Sequence, residues 1–307
     1  MRFEFEGDPE VLRNVVLQAE FVRTGNKHAD ELNPTLYVGP GVQRSVMGAG
    51  HGRAMERRGL IPAFKTMVGC SGGFASTIFG PGGQIEKQID TYWTEAASKQ
   101  FFDLKRLVTR KPIEDTKFLC DAFRQRLNLK AFHASPIEVW ACVTCANTGE
   151  GRLLDAKDPR HHPADYVQAS ISIPSLCAGP VLIHGHPYYD GAGAMPMPTR
   201  EIIERFRPTD LLIFPNCSKR DKDTMMSRIA AKMGTMGQSP IIQATFMTSD
   251  ARRRDGIEYL RSQKEVRWAI IWGEGIGTFE SNPVKLENAA READEFFEDL
   301  LQQHAFA

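Results

Sequence analysis

A short apolar run, Lys65-Thr66-Met67-Val68, leads without a spacer into Gly69-Cys70-Ser71-Gly72-Gly73, and Phe74-Ala75-Ser76-Thr77 follows with mostly small residues. The pattern predicts a buried strand, a sharp turn at Ser71 and a helix that opens at Gly72 and packs closely behind the strand. A chain with that junction stacks helix on strand, the unit from which parallel α/β sheets are built. On such a turn Ser71 presents its hydroxyl, and Gly69 and Gly73 remove side chains that would collide. A G-x-S-x-G pentapeptide by itself leaves a second reading open, in which Ser71 only caps the helix.

The remainder of the chain repeats the strand-and-helix alternation. Asp8-Pro9 followed by Val11, Leu12, Val15, Val16 and Ala19 predicts an amphipathic helix that stops near Gly25. Thr35–Val38 reads as a buried strand broken by Gly39-Pro40-Gly41, and Ser45 to Arg58 as a helix closing at Gly59. From Gln84 to Leu127 the chain reads as helical, with stripes at Ile85, Ile89, Tyr92 and Trp93 and at Phe118, Leu119, Phe123 and Leu127. Strands are predicted around Val139, at Val181–His184, at Leu211–Phe214 and at Val266–Trp272, and a last helix from Val284 to Gln303. The expectation is a single α/β unit, with residues 1–33 as an N-terminal helical arm and 34–307 as the main domain.

The bulk properties exclude several classes. The 307 residues carry 38 lysines and arginines against 38 aspartates and glutamates, so no strong field points to nucleic acid. No apolar stretch reaches the 18 or more residues of a membrane span, and Met1–Glu6 is mixed and partly acidic, unlike a signal peptide. The expected location is cytoplasmic. Six cysteines in a chain of this length do not make a disulfide framework. Cys142 and Cys145 form a C-x-x-C, but inside a strand their side chains leave on opposite faces, so they read as free thiols rather than a zinc or redox pair.

Two further stretches complete a set. Gly39-Pro40-Gly41-Val42-Gln43-Arg44-Ser45 is a loop at a predicted helix N-terminus, where backbone N–H groups can stabilise an oxyanion. Ala169-Ser170-Ile171-Ser172-Ile173-Pro174 precedes Tyr188-Tyr189-Asp190-Gly191-Ala192, where the glycine lets the Asp190 carboxylate turn toward a neighbouring loop. Loop, G-x-S-x-G, A-S-x-x-I-P and D-G-A, in that order over about residues 35 to 215, resemble the patatin-like phospholipases, in particular a bacterial branch with a G-G-G-Q-R-G loop. The resemblance implies a three-layer α/β/α fold with a mainly parallel central sheet. It also implies lipolytic acyl-ester hydrolysis by a dyad in which Ser71 is the nucleophile and Asp190 the general base, with no metal or other cofactor. The implied partners are a lipid or acyl-ester substrate and a membrane surface touched peripherally.

The oxyanion loop departs from the family. Three consecutive glycines there fall here on Pro40, Gly41 and Val42, so the resemblance assigns the N–H donors to Gly41 and Val42. A β-branched residue resists positive φ and adds bulk beside an acyl carbonyl. Two alternatives therefore stay open beside the hydrolase: a non-catalytic lipid-binding relative with an impaired loop, and an acyltransferase using the same dyad. Arg44 matches the family's arginine and is read either as a contact to a substrate phosphate or as a helix-start residue paired with a carboxylate.

The remaining candidates have plainer readings. A Ser–His–Asp hydrolase would need His304, His184 or His186; the first lies three residues from the end and the other two flank Gly185 at a predicted hairpin turn. His161-His162, near Asp158 and Asp165, reads as a solvated loop pair rather than a metal site. Lys222–Met236 is rich in methionine and basic residues and reads as a packed helix or as a lid over lipid.

Overall fold

The computed structural model describes residues 1–26, 28, 31–107, 111–220 and 235–306. Nine strands form one mixed sheet: β1 (Arg2–Gly7), β2 (Pro34–Val38), β3 (Thr66–Cys70), β4 (Glu138–Cys145), β5 (Gly151–Asp155), β6 (Val181–Ile183), β7 (His186–Asp190), β8 (Asp210–Phe214) and β9 (Arg267–Glu274). Along the sheet they run β1-β9-β8-β2-β3-β4-β7-β6, with β5 on β4. The pairs β9–β8, β8–β2, β2–β3 and β3–β4 are parallel, and those of β1, β5, β6 and β7 are antiparallel. The expected parallel sheet thus describes the five central strands, while β1, β5 and β7 run against them and β6, antiparallel to β7, runs with them.

Eight helices are α1 (Glu10–Thr24), α2 (Val46–Arg57), α3 (Gly72–Thr77), α4 (Ile85–Gln88), α5 (Thr116–Arg126), α6 (Leu129–Ala134), α7 (Pro163–Ile171) and α8 (Thr199–Phe206); three more follow, Pro240–Met247, Ser249–Ser262 and Pro283–His304. All five residues of β2, β3 and β8 are buried, the continuous apolar type of strand that a covered parallel sheet requires. Alternate side chains serve two cores. Leu36, Val38, Met67, Leu212 and Phe214 meet α1, α2, α3 and the C-terminal helix. Tyr37, Val68, Leu211 and Ile213 meet Ile202 and Ile203 of α8 and Leu260.

Two expectations change. The N-terminus is not a helical arm, because β1 completes the sheet edge against β9. The alternation of Phe3 and Phe5 with charged residues is a half-buried strand pattern, and Phe3 stacks on Phe296 at 5.0 Å. The segment read as helical from Gln84 to Leu127 is broken: α4 passes into a 3-10 turn, Ile89–Tyr92, and Phe102 bridges to Glu114 before α5 begins. Ile85, Ile89, Tyr92, Leu119 and Phe123 are buried as the stripes require, but after Tyr92 the described residues run through turns and a second 3-10 turn, Leu104–Leu107, before α5. Most of the methionine-rich stretch, 221–234, lies outside the described residues.

Candidate active site

The junction at Ser71 has the conformation its sequence predicts. Ser71 adopts φ 54 and ψ −135, a strained combination for a residue with a side chain, between β3 and the first turn of α3. Gly69 and Gly73 are required by contact rather than by φ. A Cβ on Gly69 would lie 2.5 Å from the Phe74 backbone, and one on Gly73 2.3 Å from the Gly39 carbonyl oxygen. The elbow is also braced from outside: the Ser71 N–H donates to Ser170 Oγ at 2.8 Å, and Ser170 Oγ donates to the Cys142 carbonyl at 2.8 Å. Ser170 belongs to the A-S-x-x-I-P stretch, so that motif has a mechanical role the sequence did not reveal.

Sheet register brings Asp190 to Ser71. Strand β4 pairs with β3 up to Cys70 opposite Cys142, and one residue further on Val143 pairs with Asp190, the last residue of β7. With β5 along the other side of β4, β7 takes the place beside β4 that β3 vacates. The strand ends therefore abut, and Ser71 Oγ donates to Asp190 Oδ2 at 2.8 Å. Asp190 Oδ1 accepts from the Ala192 N–H at 2.7 Å, and its main chain is pinned by Thr144 Oγ1 at 2.7 Å and by the Ser172 carbonyl at 2.8 Å. A Cβ on Gly191 would come within 2.3 Å of the Cys142 carbonyl oxygen, so close approach, not an unusual φ, is what demands the glycine.

Both groups are buried, Ser71 4 % and Asp190 1 % exposed. Desolvation pushes the Asp190 carboxyl up to about 7, against the lowering effect of the Ala192 and Ser71 hydrogen bonds. A carboxylate so placed is a stronger proton acceptor than an exposed one and touches the hydroxyl directly. The pair can therefore take the serine proton during nucleophilic attack.

The glycine-containing loop leaves the C-terminal end of β2, beside the elbow. Gly41 is extended, at φ −176, and Val42 takes φ 51 at the start of the 3-10 turn Val42–Ser45. The resistance of valine to positive φ is overcome here, at a cost of roughly 1–3 kcal/mol. Contacts of Asn216 and Gln43 hold the loop. Asn216, just past β8, donates from Nδ2 to the Gly39 carbonyl at 2.7 Å and accepts the Gly48 N–H at 2.9 Å; Gln43 N–H donates to the Thr278 carbonyl at 3.1 Å. Asn216 was not singled out in the sequence, and its only signal there is a polar residue after the apolar strand Leu211–Phe214.

A cavity opens at Ser71, with about 490 Å³ of empty space including its mouth. Val42, Ala75, Phe101, Leu119, Phe123 and Ile171 supply most of its apolar wall. Arg44 sits half-buried in the same turn as Val42, yet it is not part of that wall. The structure thus joins Ser71 to Asp190 and places Val42 in the cavity wall at Ser71, with Gly41 next to it in the chain and Arg44 outside the wall. The histidines lie elsewhere: His162 caps α7, His161 accepts the His184 N–H, and His304 stacks on Phe5. No cluster of three or more His, Cys, Asp or Glu side chains suited to a metal ion occurs among the described residues. No described helix is long and apolar enough to cross a membrane.

No protein-family model matches the chain, and no curated protein does. Among solved structures it is similar to VipD from Legionella pneumophila (TM-score 0.44, 13 % identity, 89 % of this chain and 67 % of that one). It is also similar to ExoU from Pseudomonas aeruginosa, solved in complex with SpcU (TM-score 0.36, 10 % identity, 88 % and 60 %), and to a second structure of the type III effector ExoU (TM-score 0.29, 12 % identity, 88 % and 62 %). The chain spans about 60 % of the length of the ExoU chains.

Proposed function

We propose that this protein is a serine acyl hydrolase of the patatin-like kind, cleaving carboxylic esters through an acyl-enzyme on Ser71. The observation that carries the reading is the direct 2.8 Å hydrogen bond from Ser71 to the desolvated Asp190, at the mouth of an apolar cavity. Ser71 Oγ attacks the ester carbonyl as Asp190 takes its proton. The tetrahedral oxyanion faces the N–H groups of Gly41 and Val42, and the departing alcohol recovers the proton from Asp190. Asp190 then activates a water that attacks the acyl carbon and frees both acid and Ser71. A fatty-acyl substrate fits the apolar cavity wall. Contact with a lipid surface is supported by the exposed Met236 and Ile241, on a segment tied to Ser175 through the Met236 carbonyl at 2.8 Å.

Labelling with an alkyl fluorophosphonate tests the reading. The expected result is one adduct, mapped by mass to Ser71 and lost in Asp190→Asn. A well-folded protein that takes up no label at Ser71 would overturn it and favour the lipid-binding alternative; labelling followed by acyl transfer to glycerol in place of hydrolysis would favour the acyltransferase.

Val42→Gly separates strain from catalysis. Because Val42 already holds φ 51, glycine is expected to leave turnover of short acyl esters within about threefold. Thermal stability should rise by roughly 1 kcal/mol, relief of strain outweighing the extra freedom of the unfolded chain. A turnover gain of tenfold or more would show instead that valine obstructs the loop.

A further inference from the structure

Five polar side chains line the cavity wall, and one of them has a buried oxygen without a protein partner among the described residues. Four others are satisfied by the protein itself: Ser71 by Asp190, Gln43 by the Ala96 carbonyl, Thr91 by the Gln88 carbonyl and Tyr92 by the Gly72 carbonyl. Glu114 is not. It is 2 % exposed, lines the same cavity, and its buried Oε2 meets no hydrogen-bond donor among the described residues.

Its backbone is fixed at the cavity wall by the bridge to Phe102 and by the N–H bond to the Leu176 carbonyl at 2.9 Å. Nor does it serve the fold as a cap, since the adjacent Asp115 caps α5 through the Phe118 N–H at 2.9 Å. Burial, with a smaller contribution from the Asp190 charge, pushes its carboxyl up to about 8, so that near neutrality it is a neutral acid able both to donate and to accept. A desolvated polar group without a partner is costly, and a site containing one discriminates strongly in favour of a ligand that supplies the partner.

We propose that Glu114 is a specificity determinant of the acyl cavity: its buried carboxyl meets a hydroxyl carried on the acyl chain, so the preferred substrates are esters of hydroxy-substituted acids. The inference rests on the hydrolase reading and names its substrate class. It does not depend on the alcohol part of the ester, which leaves with the first step.

The test compares p-nitrophenyl esters of one straight chain, unsubstituted or carrying a single hydroxyl at successive positions, on the wild type, Glu114→Gln and Glu114→Met. In the wild type at least one hydroxylated ester is expected to exceed the plain ester in kcat/KM by about tenfold or more. Glu114→Gln, which still donates and accepts, should keep most of that ratio. Glu114→Met, of similar length and apolar, should bring it to one or below by raising the rate on the plain chain. A wild type that prefers the plain chain over every hydroxylated one, or a ratio unchanged in Glu114→Met, overturns the proposal. Fluorophosphonate labelling of Ser71 on the same preparations distinguishes the two failures. Labelled enzyme with a flat ratio removes only the role of Glu114, whereas absence of labelling and of all turnover removes the hydrolase reading and this inference with it.

Discussion

Ser71→Ala is expected to lower acyl-ester turnover by about four orders of magnitude or more, as loss of a serine nucleophile does elsewhere. The methyl group cannot form an acyl-enzyme, and nothing else at the cavity mouth replaces it: Cys70 belongs to the other face of the sheet, packed with Tyr37 and Val68. The fold should survive. The lost bond leaves Asp190 Oδ2 without its donor, which costs about 1 kcal/mol, and Asp190 limits that cost by holding its proton to higher pH. Ser71→Gly should be inactive too, yet more stable than Ser71→Ala by about 1–2 kcal/mol, because only glycine relaxes at φ 54. Ester kinetics with paired thermal melts check both. Retention of more than about 1 % of wild-type turnover in Ser71→Ala would remove Ser71 as nucleophile. Equal stability of the two variants would mean the elbow stores no strain.

The contrast between those two variants reflects what was legible in the chain. The turn at Ser71 is local: strand-length apolar residues, a serine between glycines and small residues after it fix the elbow within a dozen positions. Helix α1 and its stop at Gly25, which takes φ 64, are legible for the same reason. The meeting of Ser71 and Asp190 is not local. It depends on β7 replacing β3 alongside β4, a register spanning residues 70, 143 and 190 that no periodicity encodes; only the resemblance joined them. The roles of Ser170, Asn216 and Glu114 escaped notice because a brace, a clamp and a cavity wall look like ordinary polar residues until the chain brings them to the site. Strand β1 was hidden by its charged outer face. The break after α4 was hidden because the buried stripes persist through a 3-10 turn.

Asp190→Asn should move activity and stability in opposite directions, and that opposition is the sharper test of the dyad. Without a proton acceptor, turnover is expected to fall by roughly three to four orders of magnitude. The pH profile should change with it. In the wild type the active form carries ionised Asp190, whose pKa lies at about 7; kcat/KM therefore rises as pH rises and levels off above that point, and the variant's residual rate should lack this step. Stability follows the same group with the other sign. The folded pKa lies above the unfolded value of 3.8, so between the two the folded state holds a proton that the unfolded state has released. Stability drawn from protonated Asp190 is whole below about pH 4, declines as pH rises toward 7, and is absent above it. The amide avoids burying a charge. Its oxygen keeps the Ala192 N–H, and its nitrogen donates to Ser71 Oγ once the hydroxyl hydrogen turns away. Asp190→Asn should accordingly be more stable than wild type by roughly 2 kcal/mol above pH 7, with the gain vanishing toward pH 4. Melting curves across that range, beside the rate profile, decide it. A loss of stability at pH 8 would mean that the ionised carboxylate is compensated in the fold, and a proton acceptor held so comfortably would be a weak base for Ser71.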